Sequence, residues 1–184
     1  MVEVILQRFL RKFNFKLECM KYLLMILICG FFLNCSNKEN QINKFEKIEV
    51  IYENKDFNFN LKNYVVKSYD SKLIDTIKIN ETDKLKLINA FFNNHLDTIK
   101  TDIEVTNNDG MAIIPDLSER NLKILNSDEE VSIYISGLAK INKVNSIGQN
   151  ILKFDSIIIS ILNKYEKFNQ FKIEIEKNDN RMWL

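Results

Sequence analysis

The chain has 184 residues and a formal net charge of +1, with 26 basic and 25 acidic side chains interleaved along its length. A nucleic-acid-binding protein draws much of its affinity from a basic stripe or patch. The sequence contains no such stripe, so its charge pattern excludes an electrostatic basis for a nucleic-acid partner. The length suits one domain preceded by a short N-terminal segment.

The most informative segment lies near the N-terminus, where Met20 and Lys21 precede an apolar run of 12 residues, Tyr22–Leu33. A helix that spans a bilayer needs about 20 apolar residues, so this run is typical of a secretory signal. A short membrane anchor or a buried core helix is the less favoured alternative. Cys35 closes the run, and the polar sequence after it has no apolar periodicity.

Residues 20–40 resemble the signal peptide and lipobox of bacterial lipoproteins. In that family the cysteine receives a diacylglycerol on its sulfur, the chain is cut just before it, and the new amine is acylated. The resemblance implies that residues 20–34 are the signal peptide and that Cys35 is lipidated. Residues 35–44 are then expected to form a flexible tether. In many such lipoproteins of Gram-negative bacteria, an Asp directly after the cysteine retains the protein at the inner membrane. Ser36 occupies that position here, so the resemblance implies export to the outer membrane.

We expect translation to begin at Met20, because Met20 and Lys21 already form a complete positive start to the signal. Residues 1–19 are then a spurious extension of the sequence. The alternative is that they belong to the signal peptide as a long, basic N-terminal region. The other two cysteines precede Cys35 and are lost with the signal. The sequence therefore predicts no intramolecular disulfide, no cysteine metal site and no thiol nucleophile.

Alternating apolar residues predict three or four strands at the start of the domain. They cover Phe45–Tyr52, Phe57–Leu61, Tyr64–Tyr69 and Leu73–Ile79, with a bulge or turn at residues 62–63. The period then changes to that of a helix capped by Asn80 or Thr82. Its apolar stripe consists of Leu85, Ile88, Phe92 and Leu96, widened by Leu87 and Phe91.

In the second half, Ile99–Val105 and Met111–Ile114 flank an Asp-Gly turn and are expected to form a hairpin. A strand pair follows around residues 126–129, after a loop at 115–120, and residues 137–150 are irregular. Helical spacing from Ile151 to Phe168 predicts a second helix, with a buried strand at Ile157–Leu162 as the alternative. Phe171, Ile173 and Ile175 alternate as a last strand.

This order of elements predicts a single α+β domain over residues 45–184. We expect a mostly antiparallel sheet with two helices that cover one of its faces. The tail is polar until Trp183.

The segment from Val105 to Asp116 superficially matches a calcium loop, with Asn107, Asp109, Gly110 and Asp116 at its third, fifth, sixth and twelfth places. Val105 occupies the first place, where an acid is needed, so a tight hairpin is the favoured interpretation. Asp128, Glu129 and Glu130 form an acidic run that is expected to be a solvated turn, with a weak calcium contact left open.

His95 is the only histidine and lies at the predicted end of the first helix, where a cation is favourable. A zinc site would need further ligands, and a Ser-His-Asp triad would need a nucleophile elbow that the sequence lacks. No phosphate-binding loop occurs either. We therefore predict no catalytic residue, no metal ligand and no cofactor.

These observations predict a non-enzymatic, lipid-anchored binding or interaction module of the cell envelope, attached to the membrane by Cys35 and contacting an unknown protein or glycan. The alternative is an envelope hydrolase with Asp/Glu chemistry, which needs two carboxylates that converge in a cleft. Strand aromatics more often belong to a core than to a binding surface. Candidates for partner contacts are nevertheless Tyr64, Tyr69, Tyr134 and Trp183.

Overall fold

The computed structural model describes residues 39–69, 72–107, 118–127 and 129–178. Several predicted features lie outside these ranges, namely Cys35 with its signal segment, the strand Met111–Ile114, and Trp183. From Gln41 onward the chain forms one compact unit.

The described residues form a seven-stranded sheet in the order β4-β3-β2-β1-β6-β7-β5. Its strands are β1 (Glu49–Asn54), β2 (Phe57–Asn60), β3 (Val65–Ser68), β4 (Ile74–Thr76), β5 (Ile103–Val105), β6 (Arg120–Asn126) and β7 (Glu129–Ile135). All neighbours are antiparallel except β5 and β7, which run parallel. The predicted α+β class with a mostly antiparallel sheet is therefore confirmed.

Four helices occur in the described residues, where the sequence predicts two. They are α1 (residues 39–45), α2 (Glu81–Asn93), α3 (Ser146–Leu162) and α4 (Glu166–Asn178). A short 3₁₀ turn, Leu96–Thr98, follows α2. β1 begins later than predicted, because Ile48 belongs to a turn in which its N–H bonds to the carbonyl of Phe45.

One face of the sheet is buried beneath the helices. Tyr52 and Phe59 are paired across β1 and β2, and Leu122 and Ile133 are paired across β6 and β7, so these side chains point to the same face. All four are almost completely buried. Phe168 of α4 packs edge-on against Phe57 of β2 with ring centroids 5.3 Å apart. The apolar alternation of the strands thus forms the core that holds the helices in place.

The predicted stripe of α2 is displaced in the structure. The helix begins as expected after Asn80, whose side-chain oxygen accepts a hydrogen bond from the N–H of Asp83 at 2.8 Å. Leu85, which was predicted to face the core, is exposed. The buried positions of the helix are Asp83, Leu87, Ala90, Phe91 and Phe92. Leu87, Ala90 and Phe91 thus face the core, and Asp83 contacts the chain between α3 and α4.

The prediction of a helix over Ile151–Phe168 is confirmed for Ile151–Leu162, where α3 ends, and the alternative of a buried strand is wrong. α3 starts earlier, at Ser146, because the side chain of Asn145 caps it by accepting a 2.7 Å hydrogen bond from Gly148 N–H. A Cβ on Gly148 would lie 3.0 Å from the Val144 Cβ, so a small residue suits this first turn.

The predicted final strand at Phe171–Ile175 is wrong, because these residues belong to α4. Phe168, Phe171 and Ile175 are buried at helical spacing, whereas Ile173 is 49 % exposed. Three apolar residues at alternate positions fit either period over so short a segment. The contact of Phe168 with the sheet decides in favour of the helix.

Residues 39–44, which fall in the segment predicted as a tether, are helical. The end of α1 is attached to the domain by two neighbouring side chains. Phe45 lies edge-on to the ring of Phe91 at 5.3 Å, and Lys44 forms a 2.7 Å ion pair with Asp97.

Candidate functional site

A cleft of about 480 Å³ opens between the β1–β2 turn and the helices α3 and α4. We call it the α4 cleft. Its apolar lining residues are Phe57, Ile159, Phe168 and Ile175, and its polar lining residues are Asn54, Lys55, Asp56, Asn163, Lys172 and Glu176. Ligand pockets in proteins commonly measure about 300–1,000 Å³ and combine an apolar lining with a few polar groups. The α4 cleft has both properties.

The walls of the α4 cleft are held by local hydrogen bonds. The side-chain oxygen of Asn54 accepts bonds from the N–H groups of Asp56 and Phe57, both at 2.9 Å, and so fixes the β1–β2 turn. On the opposite wall, the Lys172 ammonium donates to the Asn163 side-chain oxygen at 2.8 Å. The same ammonium lies 5.0 Å from the centre of the Phe168 ring. Lys172 therefore places a positive charge beside the apolar lining.

A second cleft, of about 230 Å³, lies near the end of α2, and we call it the His95 cleft. Its lining residues are Asn94, His95, Thr98, Ile99, Lys100, Thr101, Ile103, Ile147 and Asn150. His95 has a left-handed backbone conformation (φ 57°), and its carbonyl accepts a 2.7 Å hydrogen bond from the Thr98 hydroxyl. Ile147, in the first turn of α3, is 50 % exposed.

A buried ion pair lies behind the β1–β2 turn. Arg120 Nε and Asp155 Oδ1 are 3.1 Å apart, and in the sheet Arg120 is the register partner of Asn54. Burial raises the pKa of the Asp155 carboxyl, and the neighbouring Arg120 only partly opposes this shift. Burial also raises the pKa of Tyr52, and the charge of Asp155 adds to that rise. Tyr52 and Asp155 are buried and the Arg120 side chain is 21 % exposed, so the role of these groups is structural support behind the turn.

A second buried carboxylate joins α2 to the junction of α3 and α4. Asp83 accepts from the Lys164 ammonium at 2.5 Å and from the Tyr165 hydroxyl at 2.9 Å. The hydrogen bond from Lys164 is the main cause of a lowered pKa at Asp83, with that from Tyr165 contributing. The N–H of Asn80 donates to the same hydroxyl at 3.0 Å. This cluster fixes the three helices relative to one another.

The face of the sheet opposite the helices is polar. Glu53 of β1 forms a 2.9 Å ion pair with Lys123 of β6, and this contact raises the pKa of Lys123. Tyr69 is 49 % exposed at the end of β3, and its pKa is raised mainly by burial and also by Glu53. Tyr134 is half-buried on this face and pairs with Asn121. Tyr64 lies instead on the side of the helices, where it packs against the core under the Lys84 ammonium of α2 at 5.4 Å.

The residues that the sequence singled out do not converge on one site. His95 lines the smaller cleft, with Lys100 as the other ionisable side chain of that lining. Both ends of the Asn107 amide bond to the loop before α3, at 2.9 Å to the Leu138 carbonyl and 2.9 Å from Lys140 N–H. Glu129 and Glu130 are exposed at the start of β7. The rest of the calcium-like loop and Asp128 lie outside the described residues.

The lining of the α4 cleft was missed in the sequence. Its residues come from positions 54–57 and 159–176, which are brought together only by the packing of α4 on β2. One local signal was available, because Glu53-Asn54-Lys55-Asp56 reads as a turn that carries charges of both signs. The helix period of residues 168–175, had it been recognised, would have placed Lys172 and Glu176 on one face.

Fold and site together define an α+β domain with helices on one face of a seven-stranded sheet and an amphipathic cleft at its end. No protein-family model matches the chain, and no curated protein matches it. In the ranges that the structure describes, no helix is long and apolar enough to cross a membrane. The same ranges hold no group of three or more His, Cys, Asp or Glu side chains that could bind a metal ion.

Proposed function

We propose that the chain is a lipid-anchored, non-enzymatic binding module of the cell envelope, attached to the outer membrane through Cys35. The α4 cleft is its ligand site. The assignment of the ligand site rests on the cleft itself, whose apolar lining lies beside four charged residues, Lys55, Asp56, Lys172 and Glu176. The lipid anchor is proposed from the apolar run and the cysteine at residues 22–35.

The chemistry of the cleft favours a peptide segment of a partner protein as the ligand. Its apolar lining suits one apolar side chain, and its two cations and two anions suit a ligand that carries both charges. A ligand with a single strong charge would meet repulsion from half of these groups. The fixed turn at Asn54 and the Lys172–Asn163 hydrogen bond keep the cleft open before binding, which lowers the ordering cost.

The anchor is tested by metabolic labelling with a fatty acid in a host that lipidates exported proteins. Wild-type protein is expected to carry the label and to sediment with membranes, because Cys35 is the attachment point. Cys35→Ser removes the sulfur to which the lipid would be attached, so this variant is expected to carry no label and not to sediment with membranes. A Cys35→Ser protein that stays labelled and membrane-bound would contradict the anchor.

The cleft is tested with a photo-crosslinking amino acid at position 176, which lines it, and at position 174 as the matched control. Both positions are exposed glutamates of α4, but only Glu176 borders the cleft. We expect a crosslinked product from position 176 and none from 174. Mass spectrometry of that product should identify a peptide from one partner.

A charge reversal sharpens this test. Lys172→Glu removes the cation that lies beside Phe168 and should abolish the crosslink from position 176. Lys177→Glu, an exposed position of the same helix outside the cleft lining, should leave the crosslink unchanged. Equal products in the two variants would show that the cleft does not select the partner.

One specific observation favours a hydrolase as the second candidate. Asp56 and Glu176 line the same cleft, and hydrolysis of a glycosidic bond requires two carboxylates that flank that bond. This candidate predicts release of soluble fragments from purified envelope glycans, and loss of that release in both Asp56→Asn and Glu176→Gln. The binding module predicts no release from the unmodified protein.

A further inference from the structure

We propose that the surface around the His95 cleft lies against an anionic phospholipid bilayer, with Ile147 inserted among the headgroups. The proposal rests on the lipidation of Cys35 proposed above. It adds the orientation of the domain on the membrane, which an anchor alone does not determine.

The first observation is where the anchored segment joins the domain. The Lys44 ammonium pairs with Asp97 at 2.7 Å and lies 5.3 Å from the centre of the Phe92 ring. Asp97 belongs to the 3₁₀ turn that follows His95. The cleft is lined by His95, just before that turn, and by Thr98, its last residue. The point at which the chain leaves the domain toward Cys35 is thus fixed beside the His95 cleft.

The second observation is the length of chain between that point and the anchor. Nine peptide units link Cys35 to Lys44, and residues 39–44 are helical. A helix rises about 1.5 Å per residue and an extended chain at most about 3.5 Å, so the two Cα atoms are at most about 22 Å apart. A folded unit of this size is roughly 37 Å across. The anchor therefore holds the face that carries Lys44 close to the headgroups.

The third observation is the chemistry of that face. Ile147 is half exposed beside Ile99 and Ile103, and Lys100 and His95 line the same cleft. Each lysine near an anionic surface strengthens attachment by about fivefold. Two of the nearby acids are engaged, since Asp97 pairs with Lys44 and Asp102 accepts a 2.8 Å hydrogen bond from Ser132 N–H. An exposed apolar side chain ringed by a lysine and hydroxyl groups fits the boundary between headgroups and acyl chains.

The experiment uses the processed, lipidated chain, which has lost Cys19 and Cys29 and carries its lipid on Cys35, so that one new cysteine takes the fluorescent label. The label is placed by Ile147→Cys and, as the matched control, by Ile74→Cys. Ile74 is 66 % exposed in β4, at the opposite edge of the sheet from β5. The protein is reconstituted into vesicles of phosphatidylcholine and phosphatidylglycerol that contain a nitroxide-bearing lipid, which quenches only nearby fluorophores.

We expect loss of fluorescence from position 147 and full fluorescence from position 74. Lys100→Glu should restore much of the signal at position 147, whereas Lys86→Glu, an exposed position of α2, should not. If a fatty acid is attached to Cys35 but both positions fluoresce alike, the orientation is overturned and the anchor stands. If no fatty acid is attached and the protein stays in the supernatant, both proposals are overturned.

Discussion

Asp83 and Asp155 are both buried carboxylates on helices, and each faces one basic side chain, yet their pKa values shift in opposite directions. Asp83 accepts well-formed hydrogen bonds from Lys164 and Tyr165. Asp155 has the 3.1 Å ion pair with Arg120, and its Oδ1 atom forms no hydrogen bond of good geometry. Burial raises the pKa of both carboxyl groups, and hydrogen bonds to the charged form lower it. The hydrogen bonds prevail at Asp83 and burial prevails at Asp155.

The two shifts have opposite consequences for stability. The lowered pKa of Asp83 contributes stability above its ordinary pKa of 3.8, and this contribution is lost as the pH falls through the lower, folded-state value. The raised pKa of Asp155 costs stability at neutral pH. That cost disappears as the pH falls through the raised value toward 3.8.

The largest effect is expected from Arg120→Met, which leaves the Asp155 carboxylate buried without its cation. Breaking a buried pair costs about 3–5 kcal/mol, and partial exposure of the Arg120 side chain places this case near about 3 kcal/mol. Urea denaturation at neutral pH measures the loss. In an Asp155→Asn background the same substitution should cost less than about 1 kcal/mol. An equal loss in both backgrounds would show that the two side chains are not coupled.

A smaller loss is expected from Asp83→Ala, which removes the acceptor for Lys164 and Tyr165. Leaving such partners unsatisfied costs about 1–3 kcal/mol, and we expect about 2 kcal/mol because Lys164 is half exposed and regains water. The control is Glu81→Ala, an exposed acid of the same helical turn that pairs with Lys84, with an expected loss below about 1 kcal/mol. Equal urea midpoints for the two variants would rule out a special role for Asp83.

The smallest effect is expected from Asp155→Asn, which removes the cost of burying the charge together with its attraction to Arg120. At neutral pH the free energy of unfolding should change by less than about 1 kcal/mol. Between pH 7 and pH 4 the wild type should gain stability relative to this variant, because Asp155 takes up its proton. For Asp83→Asn the wild type should instead lose its advantage below about pH 4. If stability relative to wild type depended on pH in the same way for both variants, the opposite pKa shifts of Asp83 and Asp155 would be contradicted.

Much of the sheet could be predicted from local pattern. The alternation of Val50 and Tyr52, and of Phe57 and Phe59, marks the face that is buried. The parallel pairing of β5 with β7 was not predictable, because no local signal connects Ile103 to Ile133. Periodicity identifies which residues are apolar on one face, but the partner of that face is set by long-range packing.

The helices show the same limit. Leu85 has the spacing of a core residue but is exposed, since Leu87 and Phe91 of α2 face the core instead. Asp83 of the same helix bonds to Lys164 and Tyr165. In sequence, Asp83 is 81 positions from Lys164 and 82 positions from Tyr165. The α4 cleft depends in the same way on residues far apart in sequence. A sequence pattern therefore predicts the helices and strands that line such a site, but not how they pack against one another.

The position of β1 and β6 side by side at the centre of the sheet has a consequence for the order of folding. Glu53 and Lys123, which meet across this pair, are 70 residues apart. At a synthesis rate of 5–20 residues per second, β6 leaves the ribosome roughly 4–14 s after β1. Until then the β1–β4 meander has no partner along β1. The nascent chain thus stays accessible to chaperones or to a translocation channel until its second half is made.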